Sequence, residues 1–192
     1  VTRSAIFAGA QRLSGNVRFV VEVELVRRFT PEQYRYALQT WAWIGVEGLA
    51  PVFTSPFGDV FFIGGDGVWY LDVFWGKITR EWESLDECNA ELQTSAGQDD
   101  YLRAMLAVAA ARQGLTPNDS EIYDLGHPVV LGGEEGPDNV HVRDFVTSVG
   151  MAGQLHDQVR FIPVGAQVNV SFHDPDDEPE RPTGWRRWFG RN

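Results

Sequence analysis

The stretch from Val52 to Thr79 constrains the fold more than any other part of the chain. It consists of short runs of Val, Ile, Phe, Tyr and Trp broken by glycine. Branched and aromatic side chains suit the pleated, half-buried surface of a sheet. Gly64-Gly65-Asp66-Gly67, set between Asp59–Ile63 and Val68–Phe74, has the composition of a hairpin turn. A second turn around Trp75-Gly76-Lys77 returns a short strand through Ile78. Three antiparallel strands are therefore predicted, packed through their aromatic rings. Asp72 is the exception, a carboxylate inside an apolar run.

Elements that can cover such a sheet lie on both sides of it. Val17–Arg28 alternates Phe19, Val21, Val23 and Leu25 against Arg18, Glu22 and Glu24, the pattern of a half-buried strand. Thr30-Pro31-Glu32-Gln33 is a helix start: Thr as N-cap, Pro at the first position, and Gln placed to close a capping box, with the helix running to about Trp43. Ser84–Gln93 and Gln98–Gln113 carry apolar residues at helical spacing, and Gly114 suits a helix end, so two helices are predicted after the sheet. Ile122–Leu131 and Asn139–Val149 read as extended chain divided by the loop Gly132–Asp138. Met151–Val159 reads as a short helix. The fold class expected is α+β, a small antiparallel sheet with an aromatic hairpin packed against several helices, formed by a single unit over residues 1–171. Residues 172–192 pass from an acidic, Pro-rich run to Trp185-Arg186-Arg187-Trp188-Phe189 and read as a tail or docking arm.

The 192 residues carry a net charge of -11, which disfavours nonspecific binding to nucleic acid or anionic membranes and favours a basic partner. The bland reading of such charge is solubility. The single cysteine, Cys88, cannot form an internal disulfide. No stretch has the order of a signal peptide or the length of a membrane span, and a cytoplasmic protein is expected.

Several polar groups invite a chemical reading. Asp59 and Asp72, near the hairpin, are candidates for an acid/base pair, but strand-end carboxylates commonly accept backbone N–H bonds in turns. Gln154, His156, Asp157 and Gln158 form a polar cluster, for which the structural reading is satisfaction of backbone groups in the Pro128–Gly133 loop. His173 with Asp174, Asp176 and Asp177 offers oxygen ligands without the glycine and terminal Glu of an EF-hand. The two glycine clusters lack the Gly-Lys-Ser/Thr ending of a phosphate loop and read as turns. No cofactor and no metal are expected.

Taken in order, Phe57-Gly58-Asp59-Val60-Phe61, Val68-Trp69-Tyr70-Leu71-Asp72, Gly97-Gln98-Asp99-Asp100-Tyr101, Pro128 with Leu131-Gly132-Gly133, Asp138-Asn139-Val140 and Gly153-Gln154-Leu155-His156-Asp157-Gln158-Val159 resemble the C-terminal domain of type VI secretion DNase-immunity proteins. The resemblance covers roughly residues 29–165. The hairpin is also similar, more distantly, to Smi1/Knr4-like immunity proteins. What the resemblance implies is a bacterial cytoplasmic protein that binds and neutralises a cognate secreted toxin, a DNase with a basic face, with no reaction of its own and no direct contact with nucleic acid or membrane. Inhibition of that kind needs surface complementarity rather than catalysis. Charge and expected exposure point to Glu134, Glu135, Asp138, Asp99 and Asp100 as toxin contacts, with Trp75 as an anchor. Two other classes remain open: a regulatory or scaffolding protein that binds a host protein, and an enzyme using Asp72 or His156.

Overall fold

The computed structural model describes residues 7–8, 22–163 and 165–173. Its centre is a four-stranded antiparallel meander, β3 (Ala50–Thr54), β4 (Val60–Gly64), β5 (Gly67–Asp72) and β6 (Lys77–Trp82), in that spatial order. The fold is mixed α+β, as expected. The sheet has one strand more than the three expected. That strand, β3, carries Pro51, which has no N–H to donate, and it sits at the sheet edge where this is tolerated.

The register explains the aromatic content. Phe53 lies opposite Phe61, and Phe61 opposite Tyr70, so these rings share one face. Ring centroids are 4.4 Å apart for Phe53 and Phe61 and 5.0 Å for Phe61 and Tyr70, and Trp82 and Tyr101 extend the cluster. Pairs of this kind contribute about 0.5–1.5 kcal/mol beyond the area they bury. The turn between β4 and β5 is Gly65-Asp66, where Asp66 also accepts a bond from the Trp69 indole.

Before the sheet, β1 (Phe7–Ala8) pairs with β2 (Val23–Glu24). The strand expected over 17–28 is only partly testable, because residues 17–21 lie outside the described residues. Within the rest, Val23 and Leu25 are buried and Glu22 and Glu24 exposed, but only Val23–Glu24 is regular strand. Helix α1 (Pro31–Leu38) starts with the expected capping box at Thr30 and Gln33, then tightens into a 3₁₀ turn over Gln39–Ile44.

After the sheet come three helices rather than two: α2 (Leu85–Leu92), α3 (Ser95–Leu102) and α4 (Ala104–Arg112). The helix expected over Gln98–Gln113 is broken at Arg103, whose φ of 51° places it in the left-handed region. Then β7 (Glu121–Leu125) pairs with β8 (Val140–Asp144) around the glycine-rich loop. The extended reading of Asn139–Val149 holds only to Asp144. That residue caps α5 (Phe145–Val159) by accepting from the Thr147 N–H, so the last helix starts six residues earlier than expected and runs for 15 residues.

Helix α5 packs along α1 and the 3₁₀ turn. The Thr40 hydroxyl donates to the Gly150 carbonyl and the Trp41 indole to the Val149 carbonyl, both at 2.9 Å. Gly153 permits this approach: a Cβ there would lie 2.9 Å from the Trp41 indole nitrogen. No helix among the described residues is long and apolar enough to cross a membrane.

Candidate functional site

Arg103 gathers three carboxylates around one largely buried guanidinium. Its side chain is 10% exposed and faces three carboxylates. Nε lies 3.4 Å from Asp59 Oδ2, Nη2 donates to Asp72 Oδ1 at 2.8 Å, and Nη1 donates to Glu135 Oε2 at 3.1 Å. The guanidinium also stands 4.2 Å from the centre of the Phe74 ring. Left-handed backbone at a non-glycine residue costs about 1–2 kcal/mol, so this conformation persists because the surrounding contacts over-determine it.

The break in the helix leaves new backbone groups to satisfy. Arg103 N–H closes α3 onto the Asp99 carbonyl, and the Asp99 side chain accepts from Met105 N–H in the first turn of α4. Asp99 therefore caps the second half of the broken helix.

Asp59 is fully buried just before β4, where its Oδ1 accepts from Val73 N–H and its Oδ2 from the Ser55 hydroxyl. Asp72 Oδ1 accepts from the N–H groups of Phe74 and Trp75 and so closes the β5–β6 turn. The structural reading of both aspartates fits these bonds. Burial lifts the Asp59 carboxyl to about 6, while Arg103 pulls it the other way. Burial works against the charge on Arg103, yet the carboxylates of Asp59 and Asp72 outweigh it and hold the guanidinium firmly protonated.

Glu135 joins this buried network to the surface. Its Oε1 accepts from the Trp75 indole at 3.2 Å while Oε2 meets Arg103. Trp75, 57% exposed, and Met105, 69% exposed, are thus linked through Glu135, Arg103 and the α3–α4 junction. The acidic loop lies against α4, with the Gln113 amide donating to Asp138 Oδ1 at the helix end.

The six residues expected as toxin contacts are all exposed. Four of them also hold the fold: Asp99 caps α4, Glu135 pairs with Arg103, Asp138 bonds Gln113, and Trp75 donates to Glu135. Glu134 and Asp100 make no side-chain bond among the described residues. Two residues of this site escaped sequence reasoning. Arg103 had no local signal, since Arg is a good helix former. Met105 falls among the apolar residues at helical spacing in the continuous helix expected over Gln98–Gln113, yet it is exposed.

The polar cluster on α5 separates. The imidazole of His156 is buried with Nε2 3.0 Å from the Val73 carbonyl, and burial lowers its pKa. Gln154 and Gln158 bond the backbone of Ser171 and His173, not that of the Pro128–Gly133 loop. The glycine clusters form turns, as read. Among the described residues no group of three or more His, Cys, Asp or Glu is placed to hold a metal ion. Residues 174–192, with the remainder of the acidic run and the Trp-Arg-Arg-Trp-Phe segment, lie outside the described residues.

No family model matches the chain, and no curated protein is significantly similar to it.

Proposed function

We propose that this chain is a cytoplasmic immunity protein that binds and neutralises a secreted toxin, a DNase effector of a type VI secretion system. The observation that carries the reading is the exposed pair Trp75 and Met105, tied together through Glu135 and Arg103 and flanked by the exposed carboxylates of Glu134, Asp99 and Asp100. Tryptophan and methionine are enriched where protein interfaces form, and carboxylates around them favour a partner rich in Lys and Arg. A net charge of -11 supports the same direction of attraction. The buried Arg103 network supports it differently, by holding the anchor and its acidic neighbour in one arrangement before a partner arrives, which lowers the ordering cost of association.

Occlusion of a nuclease's basic face requires no chemistry from the inhibitor. The test is co-expression with the toxin encoded beside this protein, with pull-down and a plasmid-degradation assay. The expected result is a stable complex and intact plasmid. A toxin that stays active and unbound would sink the reading in favour of a regulatory protein with a different partner.

A further inference from the structure

A second feature meets the Arg103 network at Phe74. Between α5 and the β7–β8 pair is a cleft of about 200 Å³, walled by Phe74, Leu125, Val129, Leu131, Met151 and Leu155, with Val170 and Phe172 closing one side. Its size is informative. A void of about 150 Å³ admits benzene, while drug-sized pockets begin near 300 Å³, so this space suits one or two rings.

The two oppositely charged side chains in its walls are paired with each other. Arg143 Nε lies 2.9 Å from Asp124 Oδ2, and Arg143 Nη1 donates to the Met151 sulfur at 3.4 Å. His156 faces the Val73 carbonyl. Because Arg143 and Asp124 neutralise one another in the wall, a charged ligand would lose its hydration without a free counter-charge to replace it, whereas an apolar one loses no such hydration.

The side formed by Val170 and Phe172 is built as a strap. Gln154 exchanges two hydrogen bonds with the backbone of His173, at 2.7 and 2.8 Å. Gln158 does the same with Ser171, at 2.8 and 3.2 Å. The spacing explains why this works. Four residues of helix rise about 6 Å, and alternate residues of a strand are about 6.7 Å apart, so two glutamines one turn apart can imitate the edge of a sheet. Residues 171 and 173 give their backbone to the glutamines, and Val170 and Phe172 are left to line the cleft.

We propose that this cleft is a binding site for a small uncharged aromatic molecule, with residues 170–173 as its lid. The lid is held by side-chain amides rather than by a sheet or the core, so it can open without disturbing either. The cleft shares Phe74 with the Arg103 network but opens through a different set of residues, and its test does not depend on any toxin.

The protein has two methionines, which make the test direct. Met151 lines the cleft, and Met105 is exposed on the other feature. Full-length protein labelled at the methionine methyl groups with ¹³C is titrated with indole, with Met105→Leu used to assign the two signals. The Met151 signal should shift saturably while the Met105 signal stays in place. Gln154→Ala with Gln158→Ala should weaken indole binding about fivefold or more and speed its exchange, because four lid bonds are lost. Ala152→Phe, which fills the cleft from its wall, should abolish the Met151 response. A Met151 signal unmoved by indole in the unaltered protein would overturn the site, as would equal drift of both signals. Unchanged affinity and exchange in the folded double glutamine variant would overturn the lid.

Discussion

Replacing Arg103 tests whether a buried ion network, rather than helix propensity, sets the break between α3 and α4. Arg103 is 10% exposed and Asp59 not at all, so removing the cation strands a buried carboxylate. Breaking such a pair from one side costs about 3–5 kcal/mol, and that is the expected loss for Arg103→Ala at pH 8. Arg103→Gly loses the same contacts but adopts a φ of 51° without strain, so it should be about 1 kcal/mol more stable than the Ala variant. In a helix interior the order is reversed, with Gly about 1 kcal/mol worse than Ala. The pH dependence separates the two variants from the parent. In the native protein Asp59 sits at about 6, above its unfolded value of about 3.9. A carboxyl raised in this way contributes stability that is complete below the unfolded value and lost as pH rises through the folded one. The parent's loss through Asp59 is therefore over by slightly above pH 6. Without Arg103 the folded value rises further, and the variants should go on losing stability between pH 6 and 8. Urea denaturation at pH 5, 6, 7 and 8 provides the comparison. A cost under about 1 kcal/mol at pH 8 would refute the reasoning. So would an Ala variant more stable than the Gly variant, or curves parallel to the parent from pH 6 to 8.

Gly153→Ala should destabilise by about 1–3 kcal/mol in thermal melts, because its Cβ would meet Thr40 and the Trp41 indole. Gly150→Ala on the same helix has open space at Cβ and should be neutral or stabilising by up to about 1 kcal/mol, and equal effects at the two sites would contradict this packing. Cys88 is fully buried with its thiol pushed up to about 12, so a disulfide reagent at pH 8 should label it only after unfolding in urea; rapid labelling of native protein would count against the burial. Trp75→Ala should change stability by no more than about 0.5 kcal/mol beyond the loss of its bond to Glu135, yet weaken toxin binding by about 2 kcal/mol or more in calorimetry. Glu134→Lys with Asp100→Lys should slow toxin association at low salt, and an unchanged association rate would remove these acids from the interface.

Sequence and structure agree where the chemistry is local. The Thr30 cap, the Gly65-Asp66 turn and the alternation at Val23 and Leu25 each depend on residues within a few positions. The start of α5 does carry a local signal. Asp144 followed by Thr147 is a helix cap, but the alternating His141-Val142-Arg143 run before it extended the strand reading too far. The exposed acids were legible from charge and glycine-rich context. Which of them are free to meet a partner was not, because Asp99, Glu135 and Asp138 are engaged by groups that only folding brings near.

The sequence by itself determined the α+β class, the aromatic meander and the acidic character of the surface, since periodicity, turn chemistry and charge are properties of neighbouring residues. Only the tertiary structure decided that Arg103 breaks a helix, that Trp75 and Met105 belong to one feature, and that two glutamines on α5 hold an extended segment over a cleft. Each of those depends on partners distant along the chain: Asp72 and Arg103 are 31 residues apart, and Gln154 and His173 are 19. A buried carboxylate needs its cation wherever the chain can supply one, and at Arg103 that requirement outweighs local helix preference.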